Sequence, residues 1–161
     1  MSIAVGDPDL HRSVEPGTPT ARARLETVAA AREAGFACDV FVMPVLPYLT
    51  DTTEHLGALL RDIRDAGAGS VTYGPLHLRK DVKPWFFAWL ERTYPDLLPA
   101  YRRLYPGASS RADRDYRRAL ASRIRPLLRR FGLEPSVGGV RGTPRPVIAV
   151  PDDVPDALTL F

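Results

Sequence analysis

Cysteine is all but missing: Cys38 is the only one in the 161 residues. An internal disulfide is therefore excluded, as is any metal or cluster site built from several thiolates of this chain. Lysine is nearly as scarce, with Lys80 and Lys83 alone among cations that are otherwise arginine. No apolar run approaches the roughly 18–20 residues that a membrane span needs. The N-terminus lacks the basic-then-apolar pattern of a secretory leader. These absences set the expectation of a cytoplasmic protein with no membrane partner. The length suffices for a real core but is short for a complete α/β barrel.

The charge that is present is unevenly placed. Residues 1–100 carry 10 basic and 13 acidic side chains, and residues 101–161 carry 12 and 6. Between Tyr101 and Arg130 stand 10 arginines against two acids, Asp113 and Asp115. A GC-rich coding bias also produces arginine, so the residue type alone is a weak sign of nucleic-acid binding.

Periodicity and capping residues divide the chain. Ser2–Val5 reads as a short buried strand. Asp7 is placed to cap a helix opening at Pro8, and Thr18 before Pro19 opens a second helix that Gly35 ends. Residues 36–42 are apolar and rich in β-formers, the pattern of a strand buried on both faces; Pro44 and Pro47 end it. Asp51 and Glu54 make a variant capping box ahead of Leu56, Leu59, Leu60 and Ile63, an amphipathic helix. A third strand is expected over 70–78, interrupted at Gly74-Pro75. Strands alternating with helices imply parallel βαβ units with functional loops at the C-terminal strand ends. The expected fold is therefore α/β, an incomplete (β/α) barrel followed by a helical extension.

The extension is expected to begin with a helix capped by Asp81, with Val82, Phe86, Trp89 and Leu90 on one face. A shorter helix over 96–105 follows, and then a longer one capped by Ser109 or Ser110. The inward stripe of the last helix is Tyr116, Leu120, Ile124, Leu127, Leu128 and Phe131, with a kink at Pro126. The organisation is thus 1–80 for the βαβαβ part, 81–131 for the helical extension with its basic helix, and 132–161 for a Gly/Pro-rich linker and acidic tail containing a candidate strand at 147–150.

Three stretches together carry a family resemblance. Val14-Glu15-Pro16-Gly17-Thr18 lies between a strand and a helix, Val42-Met43-Pro44-Val45-Leu46-Pro47 ends a strand, and Leu76-His77-Leu78-Arg79 precedes the aromatic-rich Trp85-Phe86-Phe87-Ala88-Trp89-Leu90. In this order and spacing, over roughly residues 2–105, the chain resembles the C-terminal part of radical S-adenosylmethionine (SAM) enzymes of the spore photoproduct lyase and DNA-repair-photolyase-like type. The resemblance implies the last strands of a radical SAM partial barrel and DNA-repair lyase chemistry in the full-length family. It also implies S-adenosylmethionine and a [4Fe–4S] cluster as cofactors. The family's three cluster cysteines have no counterpart here, so this chain cannot by itself run the chemistry that belongs to the cofactor. By position, Ala4, Val5 and Gly6 match one cofactor-contacting strand end, though no hydroxyl or amide stands there. Val42, Met43 and Pro44 match the apolar strand end that packs on adenine.

Each remaining candidate has two readings. His77 and Arg79 either contact a substrate phosphate at the strand ends or are a backbone-satisfied histidine and a solvated arginine. Arg117, Arg118, Arg125 and Arg129 either neutralise DNA phosphates or form the solvated face of the last helix. His11 and His55 lack partners at metal-ligand spacing and are assigned structural or surface roles, Trp85 and Trp89 packing roles, and Glu15 a loop-fixing role. The tail residues Leu158, Leu160 and Phe161 resemble a peptide that docks on the bacterial sliding clamp, with Ala157 where that peptide carries Gln; the other reading is a tail packed on its own domain. Two alternatives to the lyase fragment stand beside it: a non-catalytic DNA- or clamp-binding module, and a non-functional remnant. The fragment reading carries a further expectation, that the chain needs a missing N-terminal part for solubility.

Overall fold

The computed structural model describes residues 1–135. Short polar side chains set where its helices begin. Asp7 accepts a hydrogen bond from Leu10 N–H (2.7 Å) and Pro8 supplies the first residue of α1 (Pro8–Val14), as the sequence predicts. The second helix, α2 (Ala21–Glu33), is capped by Thr20 and not Thr18. Thr18 serves the loop instead. Its hydroxyl donates to Glu15 O (2.9 Å) and lies 3.1 Å from His11 Nε2, while Arg24 bonds both Glu15 Oε2 (2.8 Å) and Ser2 O (3.0 Å). Glu15 thus fixes the loop and ties it, through Arg24, to the first residues of the chain.

The strands are β1 (Val40–Val45) and β2 (Val71–Pro75), paired in parallel with Val40 opposite Val71 and Val42 opposite Tyr73. Between them runs α3 (Thr53–Asp65), capped by Thr52, whose hydroxyl accepts from His55 N–H (3.2 Å). After β2 come α4 (Lys83–Thr93), a single 3-10 turn at Pro95–Leu97, α5 (Leu98–Leu104) and α6 (Arg114–Phe131). The third helix of the extension thus starts at Asp113 and not at Ser109 or Ser110, and α6 runs through Pro126.

The expected barrel does not form. The fold is mixed: a two-stranded parallel sheet and six α-helices, with no barrel-like arrangement among the described residues. Two local outcomes account for the difference. The Ser2–Val5 segment contributes only an isolated bridge from Ser2 to Phe41, made by Ile3 N–H to Phe41 O (2.9 Å) and Phe41 N–H to Met1 O (2.8 Å). Beyond it Ala4 and Val5 leave the sheet and pack with Leu10 and Leu46. The apolar run into β1 is also not buried on both faces: Val40 and Val42 are buried, whereas Phe41 is 48% and Met43 41% exposed. The helices cover one face of this sheet and leave the other open among the described residues.

One core joins residues 1–80 to the extension. Leu56, Leu60 and Ile63 of α3 pack with Tyr116, Leu120, Ile124 and Leu128 of α6, along with Val40, Val42 and Val71 of the sheet. Each fully buried aliphatic side chain contributes roughly 1.5–3 kcal/mol relative to exposure. Leu133, just past α6, accepts from Val71 N–H (2.9 Å) and closes the free side of β2. The α4–α5 pair is anchored at the strand ends by Tyr101 Oη to Pro47 O (2.7 Å) and Tyr105 Oη to Leu76 O (2.7 Å). Lys83 Nζ donates to three carbonyls of the loop after α5, those of Tyr105, Gly107 and Ser109. Trp89 packs on Phe86 and Tyr94 and donates to Ser13 Oγ (3.1 Å), but Trp85 is 79% exposed and packs no core.

Candidate nucleic-acid interface

α6 exists because its inward stripe is apolar at the helical period and its ends are satisfied. The Asp113 carboxylate accepts from Asp115 N–H (2.7 Å) and Tyr116 N–H (3.3 Å), and Gly132 closes the helix at φ +66°. Those two N–H groups hold the Asp113 carboxyl below its ordinary range. With Tyr116, Leu120, Ile124 and Leu128 turned inward, Arg114, Arg117, Arg118, Arg125 and Arg129 fall on the opposite side. Between them, on this one helix, lies an open, shallow groove of about 540 Å³ over Ala121, Ser122 and Pro126. Arg118 meets Asp115 at 3.4 Å, an exposed contact worth little. Arg114, Arg117, Arg125 and Arg129 make no side-chain hydrogen bond or ion pair among the described residues. A run of unpaired guanidinium groups on a helix face binds phosphates by charge and by paired N–H donors.

Arg123 is the exception on this helix. It reaches inward, 3.1 Å from Asp51 Oδ2 and 2.6 Å from Asp51 O, and so fastens α6 to the turn before α3. Asp51, expected to cap α3, is buried and caps the preceding turn instead, accepting from Tyr48 N–H (2.9 Å). Around it stand Tyr48, Tyr101, Tyr105 and Tyr116. Burial, reinforced at Tyr101 and Tyr116 by the Asp51 charge, pushes the phenols of Tyr101, Tyr105 and Tyr116 well above their ordinary range.

A second feature opens at the ends of the strands. Met43, Gly74, Pro75, Leu76, His77, Arg111, Ala112 and Arg117 line a cleft of about 250 Å³. A Cβ at Gly74 would stand 3.0 Å from Met43 Cε, so the Met43 side chain lies close against the backbone there. His77 and Arg111 face each other in an antiparallel bridge, with Leu78 N–H donating to Ser110 O (2.8 Å). The His77 ring is held by Ser110, with Nε2 2.8 Å from Oγ.

The structure brings together Met43, His77 and Arg117, three residues that the sequence names for separate reasons. It does not bring the two cofactor-matching stretches to one place. Ala4 and Gly6 line a different cavity of about 220 Å³ with Leu49, Thr50, His55 and Leu59. Val5 is buried, and Val42 is buried with the core under α3 and α6. Pro44 is half-buried, and Arg79 is exposed on the turn before α4. Leu158, Leu160 and Phe161 lie outside the described residues. The donor set does not fit an iron–sulfur cluster: Cys38 stands alone, and no group of three or more His, Cys, Asp or Glu side chains is gathered to hold a metal ion among the described residues.

Sequence reasoning passed over Arg111 and Arg114. The charge count contained both, but nothing local to Arg111 shows that it pairs with His77 on a distant segment. No helix of the described residues is long and apolar enough to cross a membrane.

No family model matches the chain, and no solved structure matches it. It is 49% identical over 133 residues to uncharacterized proteins of Mycobacterium tuberculosis and Mycobacterium bovis, an alignment covering 83% of this chain and 39% of each relative. It is also 32% identical over 82 residues to an uncharacterized protein of Acidianus two-tailed virus, covering 49% of this chain and 27% of the viral one. The chain thus spans about two fifths of the length of the mycobacterial relatives it matches.

Proposed function

We propose that this chain is a nucleic-acid-binding segment of a larger protein of the radical SAM, spore photoproduct lyase-like type, contributing phosphate-binding surface and not the cluster. The arginine-lined groove of α6 carries the reading. Five guanidinium groups share one outward face, four of them without partners among the described residues, over a floor of small side chains that lets a backbone approach. The DNA-directed chemistry of the family that the sequence resembles favours DNA as the polyanion. The greater length of the mycobacterial relatives agrees with a segment that works inside a longer chain.

Fluorescence anisotropy with labelled duplex and single-stranded oligonucleotides tests this. Binding is expected to weaken steeply with added salt, because each neutralised phosphate releases a counterion and contributes a slope of about −0.9 in log K against log salt for duplex DNA. Changing Arg117, Arg118, Arg125 and Arg129 together to Ala is expected to reduce affinity by at least about tenfold and to flatten that slope by up to about three or four. These side chains are exposed and alanine favours helix, so the melt is expected to hold. Affinity and slope unchanged by the fourfold variant would overturn the reading.

A further inference from the structure

We infer that the strand-end cleft binds the terminal phosphomonoester of a nucleic-acid strand, with the end sugar against its apolar wall. This rests on the nucleic-acid reading only for the strand that delivers the phosphate; the cleft has its own chemistry. The antiparallel bridge puts His77 and Arg111 directly opposite each other, and residues so paired project their side chains to one side of the backbone. Ser110 holds the His77 ring at 2.8 Å. Arg117 enters from the first turn of α6, and neither guanidinium has a side-chain partner among the described residues. Two arginines and an imidazole are suited to the extra charge and the three free oxygens of a terminal phosphate, which an internal phosphodiester does not offer.

The wall opposite is apolar, made by Met43, Pro75 and Leu76, and Gly74 keeps it flat by letting Met43 lie against the backbone. The cleft, about 250 Å³ in volume, sits just below the usual range for small-ligand sites, roughly 300–1,000 Å³. It therefore has room for the single sugar phosphate at the end of a strand. Arg117 lines both this cleft and the α6 groove, so a strand lying along the groove has its end at the cleft.

The full chain is titrated with one oligonucleotide in three forms, carrying a 5′-phosphate, a 3′-phosphate or hydroxyls at both ends. Adenosine 5′-monophosphate and inorganic phosphate are titrated separately, following the His77 and Arg111 side-chain resonances. The expected result is about a tenfold preference for one phosphorylated form over the hydroxyl form. That preference is lost in His77→Gln and in Arg111→Gln, while the residual salt-dependent binding stays. Both residues are exposed, and a thermal melt checks that the variants fold. Equal affinity for all three forms, with no response of either resonance to the monophosphate, overturns the inference and leaves the α6 groove reading standing. A monophosphate response without any oligonucleotide binding overturns the strand-end inference together with the proposed function and leaves a site for a free mononucleotide. Inorganic phosphate acting as strongly as the monophosphate overturns the sugar-binding wall.

Discussion

Two tyrosines in the cluster around Asp51 face different groups. Tyr101 donates to the carbonyl of Pro47, whereas the Tyr116 hydroxyl is buried against the Asp51 carboxylate. Removing a hydroxyl that donates loses about 1 kcal/mol and orphans its acceptor, with more at stake when the acceptor is charged. Tyr101→Phe is accordingly expected to lower stability by about 1–2 kcal/mol and Tyr116→Phe by at least that much, measured by urea unfolding at neutral pH. The same phenols set an alkaline limit. Their folded-state pKa values stand above the unfolded value of about 10, so their ionisation is opposed by folding. The associated stability is complete below about pH 10 and is lost as pH rises past it. A urea midpoint that stays level up to about pH 11 would show that these side chains are not buried as described.

At the level of single elements, α6 is the piece on which both proposals stand, and its N-terminus has a pH dependence of its own. Asp113 is held ionised by the N–H groups that it caps. Its folded-state pKa lies below the unfolded one, so the cap contributes above about pH 4 and is lost as pH falls through the lower, folded value. Replacing Asp113 with Asn keeps an acceptor that does not titrate. That variant is expected to show a flatter loss of helicity by circular dichroism on acidification, and identical acid profiles for the two proteins would refute the assignment. How well each element could be read in advance followed from what defines it. The stripes of α3 and α6 repeat every three to four residues, and both helices form over them. Their caps are one-residue choices among neighbours: Thr52 takes the place of Asp51, whose carboxylate turns to Tyr48 N–H and Arg123 instead. The strand expected over 36–42 and ended at Pro44 forms instead over Val40–Val45, leaving 36–39 outside it and running through Pro44, and an apolar run does not say whether a second layer covers its other face. The pairing of His77 with Arg111 joins distant segments, and no local signal encodes it.

At the scale of the molecule, the sheet face left open among the described residues is the governing fact. Phe41 and Met43 project from one side of the sheet, and Phe36 is 45% exposed on the approach to β1. Exposed apolar surface next to a strand edge favours association. The chain on its own is expected to self-associate with rising concentration, and Phe36→Ser with Phe41→Ser to shift it toward monomer in light scattering. A wild-type chain that stays monomeric at every concentration would count against an exposed face of this kind. Barrel closure could not be judged from the alternation of strands and helices, because closure depends on how many strands pair. Here the first segment pairs at Ser2 alone.

The grip of Lys83 on three carbonyls has a regulatory consequence. One of the chain's two lysines is occupied inside the structure. Enzymes that mute nucleic-acid binding by acylating lysines would therefore find little to act on in this chain apart from Lys80. The positive face of α6 is carried by guanidinium groups, which stay charged at any physiological pH. Its affinity would be tuned by ionic strength or by arginine methylation, which keeps the charge and blocks paired hydrogen bonds.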